Sequence, residues 1–370
     1  MLVFSSSLGY PIFHMNFTDF LKIALLWPFS LLYWLVVELR AAAYKWGLIR
    51  SRKAAVPVIS IGNIAAGGTG KTPIAIHIAQ ILRDNGLRPA VLSRGYKRKS
   101  KIQDQKQKTL VVSDGISVLC PAEEAGDEPF LMATRLLGKN DRPGAIVIVG
   151  RDRVAGAAKA VELGAQVIVL DDGFQHLRLK RDLDIVLLDS QRPYDNGWLL
   201  PAGMLREPKS ALRRADAIVL TRCNNLNSEF RIQNSAAAVF KTRHKTGQPY
   251  RFAGGAAPGL EALKSSSIIL FSGIARPESF EQSVRQAGLS YSAHLKYPDH
   301  HHYRPSHLAR ISKQAEGCDY LMTTEKDAAR LPHGADLGKP LLVLPVAIEF
   351  LDGSQKQKFE EIVLDRAKIK

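Results

Sequence analysis

The sequence predicts an α/β fold: a mostly parallel sheet with helices on both faces, a smaller α/β second lobe, and an apolar helix ahead of both. Three observations predict it. Short apolar runs bounded by turn residues recur along the chain, at 90–93, 110–112, 145–149, 167–170, 185–188 and 217–220, with helical patterns such as 154–163 between them. That alternation is the pattern of strands crossing over through helices. A glycine-rich loop joins one apolar run to one amphipathic stretch. A long hydrophobic segment precedes everything else.

The loop is Ala65-Ala66-Gly67-Gly68-Thr69-Gly70-Lys71-Thr72, following the run 56–61. It reads as strand, P-loop, helix. Such a loop turns successive backbone N–H groups into one concavity at the positive end of a helix. A lysine reaches the outer phosphates and a hydroxyl, here Thr72, meets Mg²⁺. The one departure is Ala65, which stands where the standard pattern has its first glycine. Behind the loop, Ile74, Ile78, Ile81 and Leu82 share a helical face, and Pro73 falls in the first turn, where it is tolerated.

The amino-terminal segment reads as one helix over 17–48. Its uncharged heart, 23–37, would span roughly 22 Å, short of the ~30 Å hydrocarbon core. Trp27, Tyr33 and Trp34 suit a water–lipid boundary, and Arg40, Lys45, Arg50, Arg52 and Lys53 can meet anionic head groups. The expectation is an interfacial anchor, with a full span as the alternative. A signal peptide is not expected, because no small-residue cleavage site follows the apolar run. Residues 1–16 read as a leader, with Met15 as a second possible start.

After the P-loop helix, 97–107 is polar and basic and reads as an exposed loop. Around 240–252 the chain reads as extended. Gly254-Gly255 and Pro258-Gly259 break it, and a fresh alternation starts at 268–270 with a helix near 278–287. The expected division is leader 1–16, membrane-associated helix 17–48, P-loop core 49–240 and C-terminal lobe 241–370.

The net charge of +16 over 370 residues suits an anionic partner. Nucleic acid is not expected, because basic and aromatic residues are not interleaved in the way that stacks bases. Cys120, Cys223 and Cys318 are isolated, which excludes a disulfide framework and a zinc cluster and fits a reducing compartment.

Three further constellations could carry chemistry. Asp171 and Asp172 close the apolar run 167–170 and open Gly173-Phe174-Gln175-His176; after a P-loop, this is where a carboxylate holds Mg²⁺ or its water. Gly126-Asp127-Glu128-Pro129 is either a functional acidic pair or a helix cap. Tyr297-Pro298-Asp299-His300-His301-His302-Tyr303 cannot easily aim three consecutive histidines at one ion. It reads as one Asp–His unit for proton transfer or as a solvated loop. Thr323-Thr324-Glu325-Lys326-Asp327 has its lysine one place too late for a guanine-reading element, so no base specificity follows.

Together these pieces resemble the tetraacyldisaccharide 4′-kinases, the lipid A 4′-kinases of Gram-negative bacteria. The resemblance covers about 17–331. It rests on Val58-Ile59-Ser60-Ile61-Gly62-Asn63-Ile64 leading into the P-loop, and on Leu92-Ser93-Arg94-Gly95-Tyr96. It rests further on the acidic motifs above, Pro201-Ala202-Gly203, Leu205-Arg206-Glu207-Pro208, Phe271-Ser272-Gly273-Ile274-Ala275, Pro298-Asp299-His300-His301 and Thr324-Glu325-Lys326-Asp327. It implies transfer of the γ-phosphoryl of ATP, with Mg²⁺, to the 4′-hydroxyl of a tetraacylated disaccharide 1-phosphate, on the cytoplasmic face of the inner membrane. It implies Asp127 as base, acting with His300 beside Asp299, and Lys71 neutralising charge. The metal would lie near Thr72, Asp171 and Asp172, with Glu128 or Gln175. Arg206, Glu207, Arg151 and His176 are the candidates for substrate contact. A membrane-associated P-loop ATPase that partitions cargo is the competing reading; the extra lysine many of those carry would stand at Ala66.

Overall fold

The structure, a computed structural model, describes residues 17–95, 109–138, 143–223, 236–332 and 334–368. The expected leader, Tyr96 and the basic loop lie outside the described residues. In chain order the elements are α1 (Phe17–Lys45), β1 (Val58–Gly62), α2 (Lys71–Asp84), β2 (Pro89–Ser93), β3 (Thr109–Ser113), α3 (Ala122–Ala125), α4 (Asp127–Arg135), β4 (Ile146–Gly150), α5 (Arg153–Glu162), β5 (Val167–Asp171), β6 (Leu183–Asp189) and β7 (Ala217–Thr221). Then follow β8 (Ala238–Thr246), β9 (Tyr250–Arg251), α6 (Leu260–Leu263), β10 (Ile268–Ser272), α7 (Pro277–Gln286), β11 (Ala293–Lys296), α8 (Pro305–Gln314), β12 (Tyr320–Thr324), α9 (Glu325–Ala328), β13 (Leu341–Leu344), β14 (Val346–Phe350) and α10 (Gly353–Ala367).

The chain forms two compact units. The first comprises residues up to 71, 166–243 and 350–370; the second comprises 72–165 and 244–349. In the first, β8, β7, β6, β1 and β5 lie side by side and parallel. Strands β1, β5, β6 and β7 are buried at every position. That is why they read as unbroken aliphatic runs: a parallel strand covered on both faces has no polar side. Phe174 seals the core below the loop end of β1. A Cβ on Gly62 would stand 2.5 Å from the Phe174 Cβ, and one on Gly173 2.7 Å from the Leu170 Cβ, so both glycines permit that packing.

In the second unit β2 pairs parallel with β4, and β3 pairs antiparallel with β4. A separate five-stranded sheet runs β11-β10-β12-β13-β9, parallel except for β9. Helix α2 buries Ile74, Ile78, Ile81 and Leu82, the face its spacing predicts.

Helix α1 belongs to the first unit, and at 1.5 Å per residue its 29 residues are about 43 Å long. One stripe, containing Ser30, Tyr33 and Val37, faces the body, while Leu25, Phe29, Leu32, Val36 and Leu39 are exposed. The Ser30 hydroxyl donates to the Leu199 carbonyl (2.9 Å) and accepts from the Ala202 N–H (2.9 Å). Tyr33 donates to the Arg206 carbonyl, and Arg40 to that of Gln175.

Candidate active site

The loop after β1 is shaped by Asn63, which is fully buried. Its side-chain amide donates to the Ala65 carbonyl and to the Thr69 hydroxyl (3.1 Å), and its backbone carbonyl accepts from the Gln175 side-chain amide (2.9 Å). Ala65 bridges to Leu205, and Ala66 gives its N–H to the Met204 carbonyl (2.6 Å), which leaves the cradle to Gly67–Lys71. Gly67 has φ 120° and Gly70 has φ 83°, a region side chains resist. Gly67 and Gly68 are exposed, and a Cβ on either would meet nothing within 4 Å. An open concavity at the N-terminus of a 14-residue helix fits a polyphosphate.

Lys71 closes the loop with Nζ 3.5 Å from Asp172 Oδ1. Arg206 grips the same carboxylate at 2.9 Å. Burial pushes the Asp172 carboxyl up, but the Lys71 and Arg206 cations overcome it, and the group lies below the usual carboxylate range. Asp172 holds φ 55°, a strained value for a non-glycine residue and one found repeatedly at functional sites. Asp171 ends β5, buried. No cluster of three His, Cys, Asp or Glu groups among the described residues could cage a metal. That suits Mg²⁺, which takes one or two carboxylates and substrate phosphates in place of a protein cage.

Arg222, missed by sequence reasoning, donates to the Gly68 carbonyl (2.8 Å) and pairs with Asp189. The available signal was its place just beyond the carboxyl end of β7, where α/β sheets bind ligands. Glu207, His176 and Arg151 were the other expected substrate contacts. Glu207 is buried against Arg214 (2.5 Å), the His176 carbonyl accepts from Arg181 (3.4 Å), and Arg151 is exposed after β4 in the second unit.

The second unit holds the other group. Gly126 is the N-cap of α4, so Asp127 sits in the first turn of the helix and is not its cap. Its Oδ2 lies 3.0 Å from His300 Nδ1 and 2.7 Å from Arg330 Nε. Both residues lie in the second unit, so the contact is made within one unit. Assigned as the Nδ1–H tautomer, His300 donates to Asp127 and turns Nε2 towards Asp299 Oδ2 at 3.7 Å. Burial raises the Asp127 carboxyl, while the His300 hydrogen bond and the Arg330 charge bring it below the usual range. His300 also has a strained backbone, φ 59°, and its N–H is held by the Gly273 carbonyl (3.0 Å). A Cβ on Gly273 would stand 2.7 Å from the His301 Cβ, which explains the glycine in Phe271-Ser272-Gly273. Glu128 is engaged by Lys326. His301 and Tyr303 are packed ring to ring and not solvated as a loop.

A P-loop on a parallel sheet, together with a carboxylate hydrogen-bonded to an imidazole, defines a P-loop phosphotransferase. Residues 22–368 match the family model for LpxK, tetraacyldisaccharide-1-P 4′-kinase. A tetraacyldisaccharide 4′-kinase of Pelobacter propionicus is 43% identical over 312 residues, 84% of this chain and 83% of the relative. One of Syntrophus aciditrophicus is 40% identical, covering 93% of each chain. The crystal structure of LpxK from Aquifex aeolicus in complex with ATP superposes with a TM-score of 0.77 at 33% identity, covering 94% of this chain and 99% of that one. The chain belongs to the tetraacyldisaccharide 4′-kinase family.

Proposed function

We propose that this chain transfers the γ-phosphoryl of ATP to the 4′-hydroxyl of tetraacyldisaccharide 1-phosphate, with Asp127 taking the hydroxyl proton. The observation that carries the reading is the 3.0 Å contact of Asp127 with His300, in a chain whose P-loop is intact. Asp127 is ionised at neutral pH and therefore able to accept. A carboxylate this acidic is a weak base, which suffices because phosphoryl transfer passes through a loose transition state and the hydroxyl proton becomes acidic only as the new P–O bond forms. His300 holds the carboxylate in orientation. Lys71 and the Gly67–Lys71 N–H groups neutralise charge that grows on the transferring phosphoryl and its leaving group. Asp171 and the Thr72 hydroxyl are the proposed holders of Mg²⁺, which, when bound, draws charge from the phosphate oxygens.

Membrane association fits α1. A helix bonded to the protein body at its midpoint, through Ser30, cannot have lipid on all sides there. Its opposite face is apolar and exposed, so it is proposed to lie along one leaflet on the cytoplasmic side, its basic flank against anionic head groups. The test of the reaction is product identification. The protein, ATP, Mg²⁺ and the disaccharide 1-phosphate in mixed micelles should yield a second phosphomonoester, placed on C4′ by ³¹P–¹H correlation. Phosphate released to water with no new lipid phosphate would favour the cargo ATPase instead.

A further inference from the structure

Arg330 is the most buried cation of the second group, its side chain 1% exposed. Its guanidinium makes several bonds at once. Nε donates to Asp127 Oδ2 (2.7 Å), and Nη1 donates to the Gly273 carbonyl (2.7 Å) and to Asp327 Oδ1 (3.2 Å). Nη2 passes 3.4 Å from His300 Nδ1 without bonding to it, since that nitrogen carries the proton given to Asp127. Asp327, itself fully buried, also accepts from the Tyr303 hydroxyl (2.9 Å), the Gly273 N–H (2.9 Å) and the Thr324 hydroxyl (2.6 Å). The neighbouring residues of the same motif reach α4: Glu325 pairs with Arg135, and Lys326 with Glu128. Thr324-Glu325-Lys326-Asp327 thus makes three charged contacts with the helix that carries Asp127, or with the arginine that holds it.

We propose that Arg330 is a positioning residue for the phosphoryl-transfer base, and that the Thr324–Asp327 motif is the clamp that fixes it. The inference rests on Asp127 being that base. The guanidinium and His300 both bind Oδ2, which stops the carboxylate rotating and turns its second oxygen, Oδ1, to the acceptor hydroxyl. A planar fork with donors on three edges suits this task; a lysine would supply charge at one point only. The buried anion Asp327 compensates the arginine, so the charge needs no water.

The test compares Arg330→Lys, Arg330→Ala, Arg330→Gln with Asp327→Asn, and Asp127→Asn, each checked for folding by circular dichroism. Phosphoryl transfer to the disaccharide 1-phosphate is followed from pH 3 to 9, because the depressed Asp127 carboxyl places the wild-type acid limb below pH 5. The paired substitution removes both buried charges together and leaves neither orphaned. Arg330→Lys should lower kcat by roughly 10–10²-fold with little change in KM. In the paired variant the acid limb of kcat should move up by about one pH unit, because an arginine beside an aspartate lowers its pKa by ~1–3 units. Guanidinium ion added to Arg330→Ala should restore part of the rate. An acid limb that stays in place in a folded paired variant, with no rescue by guanidinium, would overturn the inference. Asp127→Asn separates the two failures: if it keeps near-normal turnover, the base assignment fails, whatever Arg330 does.

Discussion

At the scale of single residues, Asp127 and His300 are joined by a single hydrogen bond, and in the proposed mechanism they act as one unit. Asp127→Ala and His300→Ala should each lower kcat by ~10²–10⁴-fold, the usual range for losing acid–base help. The double variant should be little worse than the poorer single one, because residues acting as a unit are non-additive. Fully multiplicative losses in that cycle would mean the two act independently. The same carboxylate sets the pH behaviour. Its folded pKa is depressed below the unfolded value, so its contribution to stability is complete above about 3.9 and is lost only as pH falls through the lower folded value. Activity should therefore show no protonation of the base between pH 7 and 5, as a pH–rate profile would reveal. Asp127 and His300 were legible as motif residues. Arg330 was not, because it meets Asp127 across 203 positions and no local pattern encodes such a contact.

At the scale of elements, two small residues decide how helices and loops are held. Gly273 accepts the His300 N–H and lies against His301, so Gly273→Ala should push the histidine loop outward. Overpacking of this kind costs about 1–3 kcal/mol. The expected outcome is a lowered melting temperature and a kcat loss approaching that of His300→Ala. Ser30 ties α1 to the loop at Leu199–Ala202, and Ser30→Ala leaves the Leu199 carbonyl and the Ala202 N–H without that partner. A buried unsatisfied group costs about 1–3 kcal/mol, so thermal unfolding should start earlier, and a melting curve identical to wild type would deny the serine this role. Strands β1, β5, β6 and β7 were readable because full burial removes every polar position. Ser30 was not, since one serine in an apolar run carries no period.

At the scale of the whole molecule, the chain combines a polyphosphate cradle in one unit, a hydrogen-bonded carboxylate and imidazole in the other, and a helix that presents apolar side chains outward. A variant beginning near Arg50 should need less detergent, sediment less with anionic vesicles and lose activity on vesicle-borne substrate; undiminished sedimentation would place the anchor elsewhere. The sequence disclosed the cradle because its glycines and lysine are contiguous. It disclosed the pairing of Asp127 with His300 only through resemblance, because an acidic pair and a histidine run each have ordinary structural uses. The measurement that bears most directly on the account follows label from γ-³²P ATP onto tetraacyldisaccharide 1-phosphate in wild type, Lys71→Ala and Asp127→Asn side by side, with ATP binding measured on each. The account predicts transfer by wild type alone. It further predicts weakened ATP binding in Lys71→Ala and retained binding in Asp127→Asn. Label reaching the lipid at the wild-type rate in either folded variant would contradict it.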